Sequence, residues 1–176
     1  MLNFADLPYE FVPPKPNALI IALARFVNRR IALPGSKHRL AGVELLGAES
    51  LANAQREDGA RFLFLPNHST HSDPQVMTEV CRRLRVTPAF MAAYDVFARG
   101  KLKAWIMQRF GAFSVDREGS DRKSMRCATE ILAAGKYPLV LFPEGNVYFC
   151  NDRVTPFAEG AAYIALRAQK ALGDSV

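Results

Sequence analysis

Brief apolar runs, each closed by a proline or a polar turn, alternate with helix-length segments along this chain. Arg61-Phe62-Leu63-Phe64-Leu65 stops at Pro66, and Pro138-Leu139-Val140-Leu141-Phe142 stops at Pro143. Runs this short and this apolar read as buried strands. Val86 to Met91 and Phe113 to Val115 supply two more strands. Helical segments fall between and after them. Pro74 to Leu84 is one, with Asp73 as its N-cap and Pro74 in its first turn. A second lies within Tyr94 to Phe110, with Phe97, Leu102, Trp105, Ile106 and Phe110 on its apolar side. A third opens at Ser120 and ends at Gly135, and a fourth runs from Phe157 to Leu172. Strand alternating with helix predicts an α/β fold, with a mainly parallel sheet flanked by helices.

Composition narrows the class further. With 176 residues and 49% hydrophobic side chains the chain can bury a core, which excludes an intrinsically disordered protein. Cys81, Cys127 and Cys150 are odd in number, widely spaced and without a CxxC pair. A disulfide framework or a cysteine zinc site is therefore not expected, and reduced thiols fit best. The net charge is +6, and its location matters more than its size. Residues 15–39 carry Lys15, Arg25, Arg29, Arg30, Lys37 and Arg39 with no acid, and residues 81–109 carry seven basic residues against Asp95. Two such segments point to an anionic partner: nucleic acid, a membrane surface or a phosphorylated small molecule.

The first basic segment coincides with a helical pattern. Asn17 follows the breakers Pro13-Pro14 and Pro16 and can cap a helix that Pro34-Gly35 ends. Leu19, Leu23, Phe26, Val27 and Ile31 recur at three- and four-residue steps, with arginines between them. Such a helix either lies in a membrane interface or packs its apolar face on the domain core. No apolar run reaches the roughly 18–20 residues that a membrane span needs. Met1 to Asp6 lacks the basic start of a secretory signal. The expected organisation is an N-terminal arm and amphipathic helix over residues 1–39, followed by one domain over residues 40–176.

Three polar clusters fall where strands end, which is where open α/β sheets place ligands. The first is Asn67-His68-Ser69-Thr70-His71-Ser72-Asp73. A turn there lets the Asp73 carboxylate fold back on the His68 ring. That contact would fix one ring nitrogen and leave the other to take a proton from a hydroxyl. Helix capping by Asp73 and a hydrogen-bonded loop histidine are the plain alternatives. A zinc site on His68, His71 and Asp73 is the other chemical option, and no HExxH motif accompanies it. The second cluster is Gly111 to Arg117, whose arginine can fork onto a phosphate or pair on the surface with Asp116 or Glu118. The third is Phe142-Pro143-Glu144-Gly145-Asn146, a carboxylate and a glycine at the end of a very apolar strand. There Gly145 can bring backbone close to a ligand, or the cluster can be an ordinary strand-to-loop turn.

Taken in order, these clusters resemble the glycerolipid acyltransferase family. Its NHx4D motif is met by Asn67, His68 and Asp73, its G-x-[IF]-x-[IV]-D-R motif by Gly111 through Arg117, and its FPEG motif by Phe142 through Gly145. Gly42-Val43-Glu44 and Gly47-Ala48-Glu49-Ser50-Leu51 are also similar to the stretch before the first motif. The resemblance implies acyl transfer from acyl-CoA or an acyl-carrier protein to a glycerolipid hydroxyl, as in the formation of phosphatidate from lysophosphatidate. It makes His68 the general base and Asp73 its orienting partner. Asn67, Gly111, Arg117, Pro143, Glu144 and Gly145 would bind substrate, with Arg117 on the acceptor phosphate. It implies no metal and no cofactor beyond the thioester co-substrate. It places the protein peripherally on the cytoplasmic face of a membrane. Two departures are visible: Asn146-Val147 follows the third motif, and Met91 to Phe97 lacks a lysine that relatives often carry. The family pattern also continues into one more strand, so a C-terminal strand is expected to be missing. Two readings of other classes stand beside this one, a metal-dependent hydrolase on His68, His71 and Asp73 and a non-catalytic anionic-lipid binder. No basic-aromatic RNA-binding strand is present, which ranks nucleic acid low.

Overall fold

The structure is a computed structural model that describes residues 8–150, 153 and 155–173. Met1 to Asp6 and the last residues, read above for targeting and for length, lie outside the described residues. Four parallel strands form one sheet in the order β1-β4-β2-β3: β1 Leu63–Phe64, β2 Ala89–Ala93, β3 Ala112–Val115 and β4 Leu139–Val140. Seven α-helices surround it among the described residues: α1 Ala18–Val27, α2 Glu49–Ala54, α3 Asp73–Arg83, α4 Tyr94–Ala98, α5 Lys101–Phe110, α6 Arg122–Ala134 and α7 Gly160–Ala171. The α/β class with a parallel sheet is as the sequence predicts.

Strand residues alternate between two cores, because successive side chains leave a strand on opposite faces. Ala89, Phe113, Leu139 and Leu141 pack with Ala128 and Leu132 of α6 and Ala161, Ile164 and Ala168 of α7. Phe90, Ala112 and Val140 pack on the other face with Cys81 of α3 and Phe97 of α4. Phe113, Leu139 and Val140 are fully buried. Both faces are covered, which is why the strand runs show so few polar residues.

Several boundaries differ from the sequence reading. The second strand begins at Ala89 rather than Val86, and Arg85 turns the chain there with φ 59°. The segment 94–110 is two helices, separated at Gly100. Their apolar side is divided: Phe97 faces the core and Phe110 packs against it, while Leu102, Trp105 and Ile106 are exposed. The helix assigned to Ser120 is capped by Asp121, whose carboxylate accepts from Ser124 N at 3.0 Å. The last helix starts at Gly160, not Phe157.

Asn17 caps α1 as expected, its side chain accepting from Leu19 N and Ile20 N. The segment 17–33 is not one regular helix, because Asn28–Ala32 forms a π-helical turn. α1 packs against α5 and α3, but its apolar stripe does not face them. Ile21, Asn28 and Leu33 are buried, with Asn28 Nδ2 donating to Gln75 O at 3.0 Å. Leu19 is 80% exposed, and Leu23, Phe26 and Ile31 are each about as open as polar surface residues. Packing of the apolar face on the core, one of the two options from sequence, does not occur. No helix among the described residues is long and apolar enough to cross a membrane.

Upstream of α1, residues 9–17 form a strap along the outer side of β3 and the end of α5. Ser114 N donates to Val12 O at 3.0 Å, Lys15 N to Gln108 O at 2.9 Å and Asn17 N to Arg109 O at 2.8 Å. Phe11 packs on one core and Val12 on the other.

Candidate active site

β1 delivers residues 65–68 to its carboxyl end, and the turn to α3 brings Asp73 back onto His68. His68 Nδ1 and Asp73 Oδ2 are 2.9 Å apart. Asp73 is the first residue of α3 rather than its N-cap, and Ser72 in the cap position makes no side-chain capping bond. The spacing Thr70-x-x-Asp73 instead lets the carboxylate turn back on the residue three before it. Asp73 Oδ2 accepts from Thr70 N and Oδ1 from Thr70 Oγ1, both at 2.8 Å. The carboxylate is thus held by the turn and aimed at the ring. Thr70 was not singled out from sequence, although its place in that spacing is a readable signal.

Two contacts fix His68 from other directions. Its ring stacks on Phe142 with centroids 4.2 Å apart and 23° between planes. Its backbone N–H donates to Glu144 Oε1 at 2.7 Å. Glu144 Oε2 in turn accepts from Thr155 Oγ1 at 2.7 Å. That hydroxyl, together with the His68 amide, holds the Glu144 carboxyl below its ordinary range. Asn67 Nδ2 turns to Ser69 Oγ at 2.8 Å, which braces the same loop. The His68 side chain is 16% exposed, and Nε2 makes no hydrogen bond among the described residues. A ring with Nδ1 on a carboxylate and Nε2 open at the surface can accept a proton from a bound hydroxyl.

Arg117 joins the second cluster to the third. Its Nη1 donates to Gly145 O at 2.8 Å and to Asn146 Oδ1 at 2.9 Å. Its Nη2 lies 3.7 Å from Asp95 Oδ1, and Asp95 is also paired with Arg99 at 3.0 Å. The surface pairing with Asp116 or Glu118 that the sequence allows is not formed. Asp116 instead accepts from Glu118 N at 2.9 Å. The sequence gives Asn146 and Asp95 no part in the site, and each meets Arg117 across a separation in the chain that no local pattern relates. Gly145, with φ 71°, turns the chain so that its carbonyl meets Arg117. Pro143 is buried, and its carbonyl accepts from Ala158 N at 2.8 Å.

The structure therefore brings together Asn67, His68, Asp73, Arg117, Pro143, Glu144 and Gly145. It does not bring Gly111 to them. That glycine lies before β3, at the opposite end of the strand, roughly 13 Å away at 3.3 Å per residue. With φ 99° it closes the end of α5, and a Cβ there would meet Pro88 O at 3.2 Å. Its place in the motif has a backbone cause. His71 turns away from His68 and packs edge-on to Phe149, with ring centroids 5.1 Å apart. Among the described residues no three His, Cys, Asp or Glu side chains are placed to hold a metal ion, so the hydrolase alternative has no ligand set there.

Comparison with known proteins identifies a family. A family model described as Acyltransferase matches residues 43–173. No curated protein matches the chain.

Proposed function

Because the chain belongs to the Acyltransferase family, the glycerolipid acyltransferases, we propose that it moves an acyl group from a thioester to the hydroxyl of a glycerolipid such as lysophosphatidate. The donor is acyl-CoA or an acyl-carrier protein. The observation that carries this reading is the His68–Asp73 contact at 2.9 Å with Nε2 left open. Asp73 holds the proton on Nδ1 and stabilises the imidazolium. His68 Nε2 takes the acceptor's hydroxyl proton as its oxygen attacks the thioester carbonyl. The tetrahedral intermediate collapses with loss of the thiolate, and the proton on Nε2 passes to the sulfur. Nothing is attached to the enzyme, so neither a cysteine nucleophile nor a metal or other cofactor is called on. Arg117 receives the acceptor phosphate on guanidinium N–H groups not spent on Gly145 and Asn146, and Glu144 keeps the His68 backbone in place.

The same reading places the protein peripherally at a lipid surface, on the cytoplasmic face of a membrane. Leu19, Leu23, Phe26 and Ile31 of the N-terminal helical segment are exposed, as are Leu102, Trp105 and Ile106 of α5. No acid interrupts residues 15–39. Exposed apolar side chains flanked by cations suit an anionic bilayer and supply no reason to remain in water. Residues 1–39 then serve as arm and surface helix, and residues 40–176 as the acyltransferase domain.

The test is thiol release from acyl-CoA or an acyl-carrier protein in the presence of lysophospholipids. Loss of the general base typically costs roughly 10²- to 10⁴-fold in rate. His68→Ala is expected to fall by that amount and Asp73→Ala by a comparable one. Wild-type turnover in both variants would refute the assignment.

A further inference from the structure

The strap over residues 9–17 lies outside the matched segment, yet one of its side chains reaches the loop that carries Arg117. The Tyr9 hydroxyl donates to Asp121 Oδ2, which also accepts from Asp116 N at 3.0 Å. Asp121 Oδ1 accepts from Ser124 N at 3.0 Å. One carboxylate thus joins the strap, the start of α6 and the residue immediately before Arg117. The Tyr9 ring sits edge-on to Tyr94 at 5.0 Å, and Tyr94 precedes Asp95, the acid nearest the Arg117 guanidinium. Gly119 lets the loop close this tightly, since a Cβ there would fall 2.7 Å from Asp116 Oδ2. Ser114, wholly buried, ties the arrangement to β3: its Oγ accepts from Val12 N at 2.8 Å and lies 3.4 Å from the Tyr9 hydroxyl.

We propose that Tyr9 is a positioning residue for Arg117, acting through Asp121 and the Asp116 amide, so that the N-terminal strap completes the anion site of the acceptor. Without the phenol O–H, Asp121 loses the donor that holds it between strap and loop. The Asp116 amide then has a less fixed acceptor, and the guanidinium one residue on samples more positions. Burial and the Asp121 hydrogen bond both push the Tyr9 hydroxyl far above its usual range, so it remains a proton donor at any working pH. This bears on the reading above only in its kinetic consequence; the positioning itself is independent of substrate.

Tyr9→Phe keeps the ring against Tyr94 and removes the hydroxyl. Hydrogen exchange of the unliganded protein reads the positioning directly. Amides of residues 116–118 are expected to exchange several-fold faster in the variant, with those of β4 unchanged. Unaltered exchange at 116–118 would overturn the proposal. A kinetic arm compares two acceptors with one thioester donor, lysophosphatidate and a monoacylglycerol that has no phosphate. The KM for lysophosphatidate is expected to rise three- to tenfold with kcat within twofold, and the monoacylglycerol to be unaffected. Equal losses with both acceptors would show a merely structural role and overturn the acceptor claim. Arg117→Ala separates the two readings: if it leaves the KM for lysophosphatidate unchanged, the acceptor role falls together with the phosphate assignment above, while the exchange measurement still decides whether Tyr9 orders the loop.

Discussion

Glu144 shows how one side chain serves two loops at once. Its Oε1 holds the backbone of His68 and its Oε2 the hydroxyl of Thr155. The Thr155 hydroxyl is the main cause of its lowered proton affinity, and the His68 amide adds to it. The sign follows from linkage: a depressed folded pKa contributes stability above the ordinary carboxyl range and loses it as pH falls through the folded value. Thr155→Val is therefore expected to lower stability at neutral pH and to differ less and less from the parent protein as pH falls through the folded value. Thermal unfolding of both proteins between pH 3 and pH 7 checks this, and a difference that stays the same at every pH would contradict it. At this scale the sequence was a good guide to which residues gather, because His68, Asp73, Arg117 and Glu144 all carry chemistry in their own names. It was a poor guide to what holds them. Thr70, Asp95, Asn146 and Thr155 are ordinary residue types, and all but Thr70, which acts within one turn, depend on contacts between segments well apart in the chain.

The N-terminal helix illustrates a limit of periodicity. Leu19, Leu23, Phe26 and Ile31 fix a helix and an apolar stripe. Periodicity says nothing of which way the stripe points. Packing decides that here, because Ile21, Asn28 and Leu33 take the inner positions and Arg25 reaches Val86 O. The stripe's exposure gives the surface role a direct measurement. Leu23→Glu with Phe26→Glu alters exposed residues and should leave the fold intact. Removing two such side chains from a bilayer at about 1.5 kcal/mol each lowers partitioning on the order of 100-fold. Co-sedimentation with vesicles containing anionic lipid is the assay, and unchanged binding would remove α1 from the lipid surface. The strands and α3 were legible because their apolar runs are bounded by prolines. The split of 94–110 was less so, since Gly100 interrupts a pattern whose outward residues are as apolar as its inward ones.

Across the whole molecule the sheet separates two cores, and the cysteines sample that arrangement. Cys81 lies fully buried between α3 and the sheet, and burial pushes its thiol up to about 12. Cys127 is partly buried and raised to about 11 by the same cause, and Cys150 is exposed. Alkylation of the native protein at pH 8 is expected to modify Cys150 first and Cys127 slowly. Cys81 should react only on unfolding, at a rate set by the opening equilibrium. Early modification of Cys81, followed by mass spectrometry, would contradict the packing. Fold class was readable at this scale from the order of runs alone, whereas the strap was not, because nothing local marks residues 9–17 as partners of β3. The strap also changes where the molecule can be divided. The matched segment begins at residue 43, but β3 lies at one end of the sheet and has Val12 as its neighbour on the outer side. A protein cut at the boundary of the match would carry a bare strand edge and an Asp121 carboxylate short of one donor, and such edges recruit other chains. The segment shared with relatives and the smallest piece that keeps the β3 edge covered thus have different first residues.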